Sequence, residues 1–105
     1  MALFSVDNVS IEGISAAVPK QQFDNLELEL LSPSERTMFV KTVGIRYRRV
    51  AEKLVTASDL CFAAAQKLLK ETNTRLDDIA GIVLVTQTPD YLIPNTSSIL
   101  QHQLG

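Results

Sequence analysis

Cysteine and histidine are the side chains best suited to nucleophilic and proton-transfer work near neutral pH. This sequence holds one of each, Cys61 and His102. They fall on different expected helices, so spacing assembles neither a Cys/His pair nor a Ser/His/Asp set. Cys61 lies on an apolar helical stripe and reads as a buried, inert thiol. His102 falls off the Ile99, Leu100, Leu104 face and reads as exposed or locally hydrogen-bonded. No zinc-ligand spacing and no internal disulfide is available. Arg46, Arg48 and Arg49 cluster within four positions. Arginine forks of this kind suit a phosphate, and they suit chain carboxylates such as Glu35 or Glu52 equally well. None of the four glycines stands in a dinucleotide or nucleotide-phosphate pattern. Asp90 follows an apolar run, where α/β proteins gather ligands at the carboxyl ends of strands. A carboxylate that structures its own loop is the stronger reading there. Asp77 and Asp78 precede the same run and read as solvated turn residues.

These residues must be positioned by a handful of elements. Ser5 to Ala17 alternates loosely through Val6, Val9, Ile11 and Ile14 and reads as a strand that ends before Pro19. Asp24 or Asn25 is placed to cap a short helix. Ser32-Pro33-Ser34-Glu35 is a helix start with Ser32 as N-cap, Pro33 at the first helical position and Glu35 at the third, and Gly44 is the matching stop. "IRYRRVA" alternates as a short extended segment. The strongest helix runs from Ala57 to Thr72, with Thr56 and Asp59 as its capping pair and Asn73 as its left-handed end. Leu60, Cys61, Ala64, Ala65, Leu68 and Leu69 form its apolar stripe. "IAGIVLVTQ" is an unbroken apolar run, the mark of a strand covered on both faces. After Pro94, Asn95 or Thr96 opens a last helix. A doubly covered strand needs neighbours and two helical layers, so the pattern implies part of a larger α/β structure.

The chain has 105 residues, 46% hydrophobic and 21% charged, with a net charge of −2. That balance is ordinary for a globular chain and asks for neither nucleic acid nor an anionic membrane. The start "MALFSVDNVSIEG" has no basic segment and does not read as a signal peptide. No apolar run approaches the roughly 20 residues of a membrane helix. A cytoplasmic setting is the expectation.

Three segments carry a resemblance. "VGIRYRRVA" (43–51) resembles "TGIxxRRxA". "TASDLCFAAAQKLL" (56–69) resembles "SDLAxxAAxxAL". "LDDIAGIVLVTQTPDYLIPNTSSILQHQLG" (76–105) resembles "DIDxIIxATxTPDYxxPSxAxxLQxxLG" and is the most specific. Their order and spacing are those of the β-ketoacyl-acyl-carrier-protein synthase III family of the thiolase superfamily, across nearly the whole chain. The resemblance implies an αβαβα layered fold of two similar halves, of which residues 1–105 are an incomplete N-terminal portion of the first. It implies an acyltransferase that condenses an acyl-CoA primer with malonyl-acyl carrier protein in fatty-acid or related biosynthesis. A homodimer is implied, and no cofactor or metal.

The family's nucleophilic cysteine follows the "LQxxLG" segment by roughly a dozen residues, and its histidine and asparagine belong to the second half. The resemblance therefore places no catalytic residue in this chain, which alone is expected to be inactive. Cys61 matches an ordinary position of the first long helix. Ile93 matches a position that crosses the dimer interface into the partner's acyl pocket, and Gln87 one near the active-site entrance. Arg46 and Met38 match the coenzyme A and carrier-protein entrance. Met38 stands where some members carry an adenine-stacking tryptophan, and Lys41-Thr42-Val43 replaces the usual arginine segment. These departures weaken the expectation of standard acetyl-CoA priming and leave a carrier-bound or unusual primer as a reasonable variant. Two alternatives stand beside this reading, a non-catalytic binding module and a sister condensing enzyme of secondary metabolism.

Overall fold

A computed structural model describes residues 5–105. The reading of the N-terminus as no signal peptide includes residues 1–4, which lie outside the described residues. Two short strands, β1 (Gln22–Asp24) and β2 (Tyr47–Arg49), flank helix α1 (Pro33–Val43); helices α2 (Ala57–Thr72) and α3 (Thr96–Leu104) follow. β1 and β2 pair antiparallel, with Gln22 opposite Arg49, Phe23 opposite Arg48 and Asp24 opposite Tyr47. Single 3-10 turns occupy Asn25–Glu27 and Leu76–Asp78.

The helix ends form as their residues dictate. The Ser32 backbone N–H donates to the Glu35 carboxylate at 2.8 Å, and Gly44 closes α1 in the left-handed region with φ 73°. A Cβ-free residue takes that conformation without steric penalty. Thr56 N–H donates to Asp59 at 2.9 Å, while Asn73 ends α2 at φ 53°. Asn95 Oδ1 accepts from Ser98 N–H at 2.9 Å and caps α3. Asp24 caps the first 3-10 turn by accepting from Leu26 N–H at 2.9 Å.

The two long strand expectations come out differently. Neither 5–17 nor 81–86 forms a ladder among the described residues. A period of two in burial runs only through 12–17 and 82–86; residues 5–12 are uniformly exposed, and Val6, Val9, Ile11 and Ile14, the apolar residues of the expected alternation, are exposed at 62%, 73%, 82% and 84%. Gly13, Ser15 and Ala17 are partly covered while Glu12, Ile14 and Ala16 are exposed; Ile82, Leu84 and Thr86 are partly covered while Val83 and Val85 are exposed at 94% and 93%. The doubly covered strand expected at 81–86 is thus covered on one face only. A ladder needs a neighbour to receive its backbone groups, and a second covered face needs a second layer. The described residues supply neither.

The covering layer is α2 with α3. Gly13 lies so close to α2 that a Cβ built on it would stand 2.7 Å from Leu68 Cδ1 and 3.0 Å from Thr72 Cγ2. The α2 stripe from Leu60 to Leu69 is half-buried throughout, and Cys61 is half-buried with it rather than fully enclosed. Among the described residues the one fully buried hydrophobic side chain is Leu100 of α3, 6% exposed. The radius of gyration is 18.5 Å, against about 13 Å for a compact chain of this length. The accessible surface is 9147 Å², against roughly 5,800 Å² for a folded monomer of this mass. Secondary structure has formed here without a closed core.

Candidate functional site

The best-ordered polar arrangement joins the loop after Thr86 to the first turns of α2 and α3. The Asp90 carboxylate accepts from the Ser58 backbone N–H at 3.2 Å and from the Ser58 hydroxyl. The Asp90 backbone N–H donates to Thr96 Oγ1 at 3.3 Å. Ser58 and Thr96 are among the few buried residues, at 2% and 3% exposure. Ser58 Oγ also lies 3.1 Å from Thr56 Oγ1. A carboxylate at this position meets free backbone donors and the positive end of the α2 dipole, both of which favour its charged form. The Ser58 hydroxyl contact, foremost, together with the backbone N–H groups of the α2 start, holds the Asp90 carboxyl below the usual carboxylate range, against a smaller upward push from burial.

Beyond Asp90 the loop leans on little. Tyr91, Leu92 and Ile93 are exposed, Ile93 at 89%, and the Ile93–Pro94 peptide is cis. Gln87 is exposed on the same loop. Thr88 N–H donates to Thr86 Oγ1 at 3.1 Å and shapes the loop entry. A cavity of about 210 Å³ lies under the loop between Leu84, Thr86, Pro89, Tyr91, Leu92 and Asn95. A larger, apolar cavity of about 530 Å³ between α2 and α3 has no titratable side chain in its wall, which includes Leu68, Leu69, Leu76 and Leu104. It is a largely apolar packing groove whose polar side chains are Ser97, Ser98 and Gln101, with no acid or base among them.

The arginine cluster resolves largely into pairing within the chain, though not with Glu35 or Glu52. Arg46 Nε donates to Asp24 at 3.0 Å, and its guanidinium sits 5.0 Å from the Tyr47 ring centroid. The Leu26 N–H bond, with Arg46 contributing, holds the Asp24 carboxyl below its ordinary value. The Asp24 contact raises the Arg46 guanidinium in turn. Arg49 donates to the Lys20 carbonyl at 2.8 Å. Behind this pair, Asn25 is buried and donates from Nδ2 to the Ile45 carbonyl at 3.0 Å. Met38 is an exposed residue of α1. Among the described residues, no hydrogen bond or ion pair ties Arg46 or Met38 to the loop of Gln87 and Ile93.

The sequence-predicted positions thus fall into two groups, Gln87 with Ile93 on one loop and Arg46 with Met38 around the β1–β2 pair and α1. Cys61 and His102 are apart from both, one half-buried on α2 and one exposed on α3. Asp77 is exposed and pairs with Arg75 at 2.8 Å. The sequence offers Thr96 only as an alternative cap of the last helix and assigns Ser58 no role. Their signal was a small hydroxyl residue in the first turn of each helix, and it gains meaning only once Asp90 is seen to face both.

The fold is that of the thiolase-like synthases. A 3-oxoacyl-(acyl-carrier protein) synthase from Burkholderia xenovorans superposes with a TM-score of 0.79 at 36% identity, covering 87% of this chain and 27% of that one. A variant of Xanthomonas campestris OleA superposes with a TM-score of 0.82 at 30% identity, covering 94% and 32% respectively. The chain is homologous, over about nine-tenths of its length, to proteins named β-ketoacyl-[acyl-carrier-protein] synthase III. That of Syntrophomonas wolfei is 35% identical over 97 residues, 92% of this chain and 29% of the relative. That of Koribacter versatilis is 34% identical over 101 residues, 96% of this chain and 30% of the relative. The chain therefore spans about 30% of the length of the curated relatives it matches. No family model matches it.

Proposed function

We propose that residues 1–105 form the N-terminal, incomplete part of a condensing enzyme that joins an acyl primer to malonyl-acyl carrier protein. The observation that carries this reading is identity of 34–35% across more than nine-tenths of the chain to β-ketoacyl-[acyl-carrier-protein] synthase III enzymes, accompanied by the same backbone path in a 3-oxoacyl synthase. In the whole enzyme a cysteine thiolate outside this chain takes the acyl group from its carrier thiol. Malonyl-acyl carrier protein then loses CO2, its α-carbon forms the new C–C bond, and the enzyme thiol is released.

In that scheme Gln87 lies near the active-site entrance and Ile93 reaches across a homodimer interface to an acyl pocket. Arg46 and Met38 face the entrance used by coenzyme A or carrier protein. The exposed Ile93 suits a residue whose burial comes from a partner subunit. Arg46, held by Asp24 and Tyr47, keeps further guanidinium N–H groups to offer a phosphate. The partners are acyl carrier protein, acyl-CoA and a second copy of the enzyme, in the cytoplasm, without nucleic acid, membrane, cofactor or metal. No described helix is long and apolar enough to cross a membrane.

The test is to express the complete reading frame that contains this segment and supply acyl-CoA primers of graded length with malonyl-acyl carrier protein. Release of CO2 and free coenzyme A with formation of 3-oxoacyl-carrier protein is the expected result. Failure of every primer, in a folded protein that also leaves malonyl-acyl carrier protein intact, overturns the reading.

A further inference from the structure

We infer that Asp90 is the positioning residue of acyl-primer recognition, acting by fixing the loop that carries Gln87 and Ile93. The inference rests on the proposed condensing function and adds to it a residue outside any expected contact with substrate. Among the described residues, Asp90 alone in the stretch from Gln87 to Ile93 forms side-chain hydrogen bonds to another element, reaching Ser58 across 32 positions of sequence. Its backbone N–H reaches Thr96. One residue thus ties the loop to the first turns of α2 and α3 at once. The three residues that follow are exposed and make no such bond. The place of Ile93 is accordingly set from its two ends, by Asp90 on one side and by the Asn95 cap of α3 on the other. A loop held at two points presents an apolar tip to an acyl chain in one geometry, and releasing one point multiplies the geometries to be lost on binding.

The experiment compares wild type, Asp90→Ala and Asp90→Asn in the complete enzyme. Two rates are read on each: condensation with an acyl-CoA primer, and decarboxylation of malonyl-acyl carrier protein to acetyl-acyl carrier protein and CO2, which uses no primer. Asp90→Ala is expected to raise the primer KM at least tenfold and to lower condensation at least tenfold more than decarboxylation. Asn can accept from Ser58 N–H and donate to the Ser58 hydroxyl, so Asp90→Asn is expected to lie between wild type and Ala. If Asp90→Ala does not fold, the same ratio is read on Asp90→Asn, with at least a threefold difference expected. Equal losses in the two reactions, or no loss in either, overturn the positioning role while leaving the condensing function in place. A wild-type enzyme without either reaction removes the condensing function, and the inference with it.

Discussion

The Asp90 carboxylate sits against the Ser58 backbone N–H at 3.2 Å, 32 residues away in sequence, and Ser58 is the most deeply buried residue described. Removing the carboxylate strands a buried donor. A lost partner of this kind costs about 1–3 kcal/mol. Asp90→Ala is expected to lower stability by that amount in denaturant unfolding of the complete enzyme. Hydrogen exchange is expected to quicken at the first turn of α2 and across residues 87–93. An unchanged midpoint with unchanged exchange would show that Ser58 finds another acceptor.

The same contact sets a pH dependence. The Asp90 carboxyl is held below its ordinary value in the folded chain, and a free aspartate titrates near about 3.9. Its contribution is therefore complete above that value and is lost as pH falls through the lower, folded value. Thermal midpoints between neutral pH and about pH 2.5 are expected to drop more steeply in wild type than in Asp90→Asn, which has no charge to lose. Parallel curves would contradict the assignment.

Gly13 predicts a rescue. A methyl group there meets Leu68 Cδ1 at 2.7 Å, the movable end of a half-buried side chain, so Gly13→Ala is expected to destabilise by no more than about 1 kcal/mol as Leu68 turns aside. Leu68→Ala opens space at the same point. The double variant is expected to be less destabilised than the sum of the two single changes, a coupling measurable by a double-mutant cycle. Strict additivity would separate the two residues in solution.

Val83 and Val85 stand almost wholly exposed on the uncovered face of their segment. Exposed β-branched residues on an unpaired strand promote association. The 105-residue chain by itself is expected to elute as oligomers or aggregate, and Val83→Lys with Val85→Lys to shift it toward smaller species in sedimentation velocity. A monodisperse wild-type chain with a cooperative melt would favour the self-standing binding module instead.

Local chemistry was legible in the residues alone. The caps at Ser32, Thr56 and Asn95 and the left-handed ends at Gly44 and Asn73 depend on side chains within a few positions of one another, and all five formed where expected. Long-range pairing was a different matter. The choice of Asp24 over Glu35 and Glu52 for Arg46, and the meeting of Asp90 with Ser58 and Thr96, depend on how distant segments cross. The strands at 5–17 and 81–86 show the same division. The alternation expected over 5–17 is not the one its burial shows, since Val6, Val9, Ile11 and Ile14 are exposed, and the unbroken apolar run at 81–86 carries no period of two, which only its burial reveals. Whether that period becomes a ladder with two covered faces is decided by neighbours, because a backbone N–H or C=O group gains its hydrogen bond only from a strand placed beside it.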